Sequence, residues 1–369
     1  MKKQLIFTKL FDTGGSNASM RALVKVFGAE NVLLIVEDIN STSFANDIDS
    51  TGKLQTKVVK NLHGYAHLEY RLISNIKESL KIFWSLIRIM LLCLRFKSST
   101  ITVSAVEPEK FLYFFWLPFI KVNYLLHTVP GKKYTAFTSF TCNSRLGKRK
   151  KLVVVSDFMK NTIVKEWDIR KSGEFIKVIY NCADQALTTE PNPGTIRKIV
   201  TIGRLDDNKN PDTWLKVART ITASYQDVSF IWIGNGENLE GYQHLASKLK
   251  NIEFIGYHAK TENWLKQAFI YYQPSKMESH GIAVVEAMAW GLPCIVSDRG
   301  GLPESVSTGY NGLLIEPLNF EDHIKAIELL LNNKETTAEM GQNSKKRYNE
   351  RYAFEIFKEK IQRLYHINI

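Results

Sequence analysis

The stretch IYYQPSKMESHGIAVVEAMAWGLPCIVS, residues 270–297, contains a strand, a loop, a helix and a second strand. Ile270–Gln273 and Cys294–Ser297 are short apolar runs bounded by proline and turn residues, the length of buried strands. Residues 282–290 between them are apolar over a helix length. Strands that alternate with helices in this way make parallel sheets covered by helices on both faces.

The same alternation extends outward in both directions. Towards the end of the chain, Leu313–Ile315 is a further strand. Before the quoted stretch lie Lys198–Ile202, Ser229–Ile233 and Ile252–Ile255. Helices at 211–224, 237–250, 259–267, 282–290, 320–333 and 335–350 separate them. The first half has its own set: strands at Gln4–Thr8, Val32–Val36, Thr100–Ser104, Val122–His127, Lys151–Val155 and Phe175–Tyr180, with helices at Ser16–Phe27, Leu68–Phe96, Pro108–Leu117 and Asp157–Trp167. Two consecutive sets predict an α/β protein of two Rossmann-like domains, 1–183 and 184–352, with Glu190–Gly194 (EPNPG) as linker. One more helix, Phe354 to Tyr365, follows the second set.

Composition agrees. A length of 369 residues suits about two domains. With 44% hydrophobic and 23% charged residues the chain is ordinary globular material, which excludes a disordered tail, a collagen-like fibre and a disulfide mini-protein. Cys93, Cys142, Cys182 and Cys294 lie far apart with no C-x-x-C pair, as in a reduced cytosolic protein, and form no zinc pattern. The net charge is +12, unevenly shared: residues 1–183 carry 28 basic and 14 acidic side chains, residues 184–369 carry 21 and 23. The basic half suits an anionic partner, whether phosphorylated substrate, membrane surface or nucleic acid, unless it is ordinary surface charge. No basic–aromatic motif supports nucleic acid. The apolar run after Lys2 and Lys3 is too short for a signal peptide. Ile82–Leu94 is densely apolar but too short to span a bilayer. With Lys77, Lys81, Arg88, Arg95 and Lys97 around it, it reads either as a core helix with basic ends or as a helix lying on an anionic bilayer.

In open α/β sheets, ligands bind beyond the carboxyl ends of strands. After the first strand, Gly14-Gly15 precedes a helix, as a tight turn or as a close approach to an anion. After Ile202, Arg204 and Lys209 share one loop, as surface charges or as a diphosphate clamp. Gly234 and Gly236 follow the next strand without a dinucleotide fingerprint. Glu278 lies in a loop, and Gly281 starts a helix whose free N–H groups favour phosphate. Glu286 sits among Val284, Val285, Ala287 and Met288, where a buried carboxylate needs a donor such as ligand hydroxyls. Asp47-Ile48-Asp49 reads as surface rather than as a metal site.

Glu278 and Glu286, seven residues between them, within ESHGIAVVEAMAWGLPCIVSD and followed by GGLPE (300–304), resemble the signature of retaining glycosyltransferases of family 4. Gly14-Gly15, VVVSDFMKN (153–161), VIYNCAD (178–184), IGRL (202–205) with Lys209, WIGNGE (232–237) and YNGLL (310–314) fall in that family's order. Cys182 stands where the family often has Gly, and Thr128–Arg149 matches none of its motifs. The resemblance implies a GT-B fold, two Rossmann-like domains facing across a cleft, with the helix 353–369 packed back on the first. It implies transfer of a hexose from a nucleotide sugar, a UDP-sugar first and GDP-mannose second, with retention and without a metal or other cofactor. The acceptor would be a glycan or lipid-linked sugar in surface polysaccharide synthesis, at the inner face of the cell membrane.

Residue by residue, the resemblance gives the donor diphosphate to Arg204 and Lys209, with the backbone of Gly281, Ile282 and Ala283. It gives the ribose to Glu286, the sugar hydroxyls to Glu278, donor phosphates to Gly14 and Gly15, and a place near the sugar to His127. Gly234, Tyr257 and His280 join the donor-binding set. Two other classes remain open on sequence: a non-catalytic GT-B subunit that only binds sugar nucleotides, and a GT-B-fold epimerase.

Overall fold

Apolar strands buried on both faces require helices above and below, and the computed structural model has this arrangement twice. It describes residues 3–8, 15–36, 48–49, 51–59, 76–104, 108–129, 135–171, 173–183, 195–258 and 260–366. The linker expected at 190–194 and Gly14 lie outside these. The chain divides into two units: one runs to Ile179 and takes in the chain from Lys360, the other runs from Tyr180 to Glu359, and Gly15, at the head of the first long helix, groups with the second.

The first unit holds β1 (Gln4–Thr8), α1 (Gly15–Phe27), β2 (Val32–Val36), β3 (Gln55–Val58), α2 (Ile76–Arg95), β4 (Thr100–Ser104), β5 (Lys121–Leu126), α3 (Thr135–Arg145), β6 (Lys150–Val154), α4 (Asp157–Glu166) and β7 (Ile176–Val178). Its sheet order is β3-β2-β1-β4-β5-β6-β7, with every pair parallel. The second unit holds β8 (Arg197–Ile202), α5 (Pro211–Ser224), β9 (Val228–Ile233), α6 (Leu239–Ala246), β10 (Ile252–Gly256), α7 (Glu262–Gln267), β11 (Ala268–Gln273), α8 (Ile282–Ala289), β12 (Cys294–Ser297), α9 (Leu302–Ser305), β13 (Gly312–Ile315), α10 (Phe320–Asn332) and α11 (Lys334–Arg351). Its order is β10-β9-β8-β11-β12-β13, again all parallel. The last helix, α12 (Phe354–Tyr365), ends in the first unit. There Tyr365 bonds Thr102 through its hydroxyl and meets Phe27 edge-on at 4.9 Å.

The sequence reading missed three of these elements, one of them the single-turn helix α9. The strand β3 (QTKV) is half-exposed and polar, as an edge strand should be. The helix α3 (TAFTSFTCNSR) is rich in Thr and Ser, weak helix formers, and buries Thr138, Thr141 and Cys142 instead of an apolar stripe. Pro108–Trp116 is a 3-10 helix rather than an α-helix. Its run Phe111–Phe115 is buried at all five positions, and Phe111 and Phe114 pack on Phe7 at 5.0 and 5.2 Å. Of the helix expected at 68–96, α2 lies within the described residues. Asp49, of the D-x-D, organises the turn before β3. Its carboxylate accepts from Thr51, Lys53 and Leu54 at 2.7–3.0 Å.

Each sheet has one switch point, where neighbouring strands send their crossovers in opposite directions: β1/β4 in the first unit, β8/β11 in the second. At such a point the carboxyl ends open into a crevice. The register of β8 is held by an internal anchor. Trp214 of α5 is fully buried, and its ring meets Phe230, Trp232 and Phe254 edge-on at 5.6, 5.3 and 5.1 Å. Its Nε1 donates to Thr201 Oγ1 at 2.7 Å, and Thr201 donates in turn to the Tyr272 carbonyl at 2.5 Å, tying β8 to β11. Thr201→Val leaves a buried N–H without an acceptor, which costs about 1–3 kcal/mol. Urea denaturation should show that loss. Thr201→Val combined with Trp214→Phe should lose less than the sum of the two single changes, whereas strict additivity would show that the bond does not anchor β8.

Candidate active site

The loop after β8 is bent by its own side chains. Asp206 caps a short 3-10 turn, accepting from Lys209 N at 3.1 Å. Asn210 then takes a left-handed conformation, φ 60°, and Pro211 opens α5. The turn aims the Lys209 side chain back across the sheet end. The loop after β11 meets it there: Lys276 N donates to the Asn208 carbonyl at 2.7 Å, and Asn208 Nδ2 donates to the Met277 carbonyl at 2.8 Å.

Joined in this way, the two loops bring Lys209 and Glu278 together at the switch point. Lys209 Nζ donates to Glu278 Oε1. The two side chains are 19% and 12% exposed. The same oxygen accepts from Gln273 Nε2 at 2.6 Å and Ser275 Oγ at 2.9 Å. Tyr271 fixes the amide of Gln273, donating to its Oε1 at 2.6 Å. Burial holds the Tyr271 phenol far above its usual pKa, so it remains a donor. Among the described residues nothing donates to Glu278 Oε2, and Lys209 keeps two of its three N–H donors.

Glycines set the walls. A Cβ on Gly300, where φ is +65°, would lie 1.9 Å from the Glu278 carbonyl, and one on Gly301 would lie 2.2 Å from that of Ser279. Gly301 N donates to the Glu278 carbonyl at 2.9 Å. On the other side a Cβ on Gly234 would lie 1.9 Å from the Gly203 carbonyl, and one on Gly236 2.0 Å from that of Leu205. Gly234 therefore has a packing duty: it lets the Arg204 loop lie flat on the loop after β9. Gly234 N donates to the Gly256 carbonyl at 2.8 Å, and Tyr257 N donates to Asn235 Oδ1 at 3.2 Å. The loops after β8, β9, β10 and β11 are thus one hydrogen-bonded rim. Tyr257 stands on it with 47% of its surface exposed.

Arg204 is 64% exposed and paired with Asp206 at 2.8 Å. Such a surface pair is worth at most about 1 kcal/mol, so the guanidinium can be recruited by a stronger anion. Gly281, φ 84°, caps α8 without a side-chain bond. Val284 and Val285 both donate to its carbonyl, while Ile282 N and Ala283 N make no backbone bond among the described residues. Of the residues of α8, Ile282, Ala283 and Glu286 are half-buried and the rest fully buried, so these three form its open face. Glu286 is engaged within the chain. Beside the rim, Asp206, Asp207, Asp212 and Glu237 crowd a cavity of about 560 Å³ whose one lining cation is Arg204, a poor setting for an anion.

His280 departs from the sequence reading. Its ring is 1% exposed, stacked on Tyr180 at 5.2 Å and against Tyr352 at 5.4 Å, with neither nitrogen bonded. Burial, and then Arg351, lower its pKa to about 3. The ring packs the core behind the loop and is closed to a ligand. Sequence reasoning gave no role to Gln273, Ser275 or Asn208. Gln273 and Ser275 stand in the opening stretch, and polar residues at the end of an otherwise apolar strand were the available signal.

In the first unit, His127 follows β5. Its Nε2 lies 3.1 Å from Ser104 Oγ at the end of β4, next to that sheet's switch point. Its Nδ1 is shut off from solvent without a partner, and burial lowers the pKa to about 4, so the imidazole is neutral. Gly15 is the first residue of α1.

Residues 187–347, which make up most of the second unit, match the glycosyl transferases group 1 family. An uncharacterized glycosyltransferase of Haemophilus influenzae is 31% identical over 153 residues, 40% of this chain and 43% of its own. The UDP-Gal:alpha-D-GlcNAc-diphosphoundecaprenol alpha-1,3-galactosyltransferase of Escherichia coli is 30% identical over 139 residues, 36% of each chain. The match thus spans less than half the length of either relative. The crystal structure of Anabaena HepE in complex with UDP and glucose aligns over 100% of both chains with a TM-score of 0.76 at 14% identity. That likeness establishes the fold as GT-B, with two Rossmann-like parallel-sheet domains.

The close contact at Gly300 is testable against Gly309, which has φ +82° but nothing within 4 Å of a Cβ. Gly309→Ala should cost only the left-handed penalty of about 1–2 kcal/mol. Gly300→Ala should cost clearly more, each further kcal/mol lowering the melting temperature by roughly 2–4 °C. Equal losses would mean that the Glu278 loop gives way freely.

Proposed function

We propose that this protein is a retaining glycosyltransferase of the family 4 type. It moves a hexose from a nucleotide diphosphate sugar, a UDP-sugar first and GDP-mannose second, to a glycan or lipid-linked acceptor in surface polysaccharide synthesis. The observation that carries this is the Lys209–Glu278 pair at the β8/β11 switch point, beside Arg204 and the open end of α8. A diphosphate suits two cations and two unused N–H groups. A carboxylate held by three donors through one oxygen keeps the other fixed for sugar hydroxyls.

In the reaction, the bond between the anomeric carbon and the diphosphate oxygen breaks, and its electron pair stays on the diphosphate. Arg204, Lys209 and the N–H groups of Ile282 and Ala283 stabilise that growing charge, which helps most in the transition state. The acceptor hydroxyl bonds the anomeric carbon on the same face, and its proton passes to the departing phosphate. No metal or other cofactor takes part. Glu286 holds the ribose, and Tyr257 lies near the base. His127 and Gly15 carry the roles the resemblance gives them. Neutral His127 serves as a hydrogen-bond donor or acceptor rather than as a cation.

The acceptor side belongs to the first unit, and residues 1–183, which supply most of that unit, have a net charge of +14. That charge suits peripheral association with the anionic inner face of the cell membrane. Among the described residues no helix is long and apolar enough to cross it.

A thermal-shift screen with UDP, GDP, ADP and their sugars tests the donor site. At a hundredfold excess over Kd the matching nucleotide stabilises the protein by about 2.7 kcal/mol. This shift should persist in EDTA and largely vanish in Arg204→Ala and Lys209→Ala. No shift with any nucleotide would contradict the proposal. Binding to anionic vesicles should weaken as salt rises, and salt-independent binding would contradict the charge argument.

A further inference from the structure

The helix α2 is apolar on two faces. Ile82, Ser85, Ile89, Leu92 and Cys93 face inward and are at most 9% exposed. Facing outward are Leu80, Phe83, Trp84, Leu91 and Leu94, at 51%, 56%, 60%, 56% and 66% exposure. At 3.6 residues per turn these five fall within an arc of about 100°. Phe83 and Trp84 stand edge-on at 6.3 Å. Lys81, Arg88 and Arg95 are each seven residues apart, so they form one row along the border of that arc. From Ser79 to Arg95 the helix contains no carboxylate.

A contiguous exposed apolar face marks an interaction surface. Its chemistry here selects the partner. The arc is aliphatic and aromatic, and its one side-chain polar group is the Trp84 indole N–H, which suits the boundary between headgroups and acyl chains. The cations lie along its edge rather than within it, at the level that headgroups occupy around a helix lying in the interface. The unit around it is strongly basic, which an anionic bilayer complements and a second copy of this chain does not.

We infer that α2 is the membrane-docking element of this protein. Its Leu80/Phe83/Trp84/Leu91/Leu94 face sinks into the acyl boundary of an anionic leaflet, and the Lys81/Arg88/Arg95 row lies among the phosphates. This inference rests on the membrane association proposed above and names the surface that performs it.

Co-sedimentation of the full chain with vesicles of phosphatidylcholine containing 30% phosphatidylglycerol tests it. F83E/W84E and, independently, L91E/L94E should each reduce partitioning at least tenfold at low salt, with unchanged melting temperature and nucleotide-induced shift. R88Q/R95Q should reduce it several-fold at low salt only. Should both glutamate pairs bind like the wild type, docking runs through another surface and the inference falls, although membrane association stands. Should the wild type ignore anionic vesicles, membrane association falls as well, while the donor site is judged separately by its nucleotide shift. A wild type that sediments as a dimer, and becomes a monomer in F83E/W84E without losing vesicles, would assign the face to a second copy and overturn the inference.

Discussion

Removing two opposite charges from water is costly, and their attraction offsets that cost only with good geometry and further hydrogen bonds. Lys209 and Glu278 meet this condition with little solvent contact. The loops around them can be understood as the means of meeting it. Gln273 and Ser275 supply two more donors to the carboxylate, and Tyr271 orients the amide. Asn208, Lys276 and Met277 join the two loops through backbone carbonyls. A well-packed apolar pair would often stabilise as well or better. The use of this pair therefore lies in what it presents: two ammonium hydrogens and one carboxylate oxygen in fixed positions.

The pair in turn depends on topology. Strands β8 and β11 are neighbours, and their crossovers leave in opposite directions, which opens a crevice beyond their carboxyl ends. The glycines do the rest by occupying no volume. Gly234 and Gly236 let one loop rest on another, and Gly300 and Gly301 let the Glu278 backbone approach within hydrogen-bond range. The Trp214–Thr201–Tyr272 chain ties β8 and β11 beneath them, linking the core to the site geometry.

Much of this was legible in the sequence, for a physical reason. Buried parallel strands must be apolar along their length, so their positions show even without homologues. Loops after such strands are few, so Arg204, Lys209 and Glu278 stand out by position and charge. What was hidden depends on direction. His280 lies between Glu278 and Gly281, yet its ring turns inward to Tyr180 and Tyr352. The edge strand β3 and the Thr-rich α3 lack the apolar pattern that identifies interior elements. The apolar density of α2 was plain, but which of its apolar residues are buried and which stay exposed was visible only in the structure.

The most direct measurement is a double-mutant cycle on donor binding by isothermal titration, using the sugar nucleotide that gives the largest thermal shift. If Lys209 and Glu278 form one donor site, Lys209→Ala and Glu278→Ala each weaken binding at least tenfold. The double variant then loses much less than the product of the two, because each single change already breaks the shared unit. Wild-type affinity in Lys209→Ala, or independent losses that multiply, would contradict the account: the pair would be structural, and the donor, if any, would bind elsewhere.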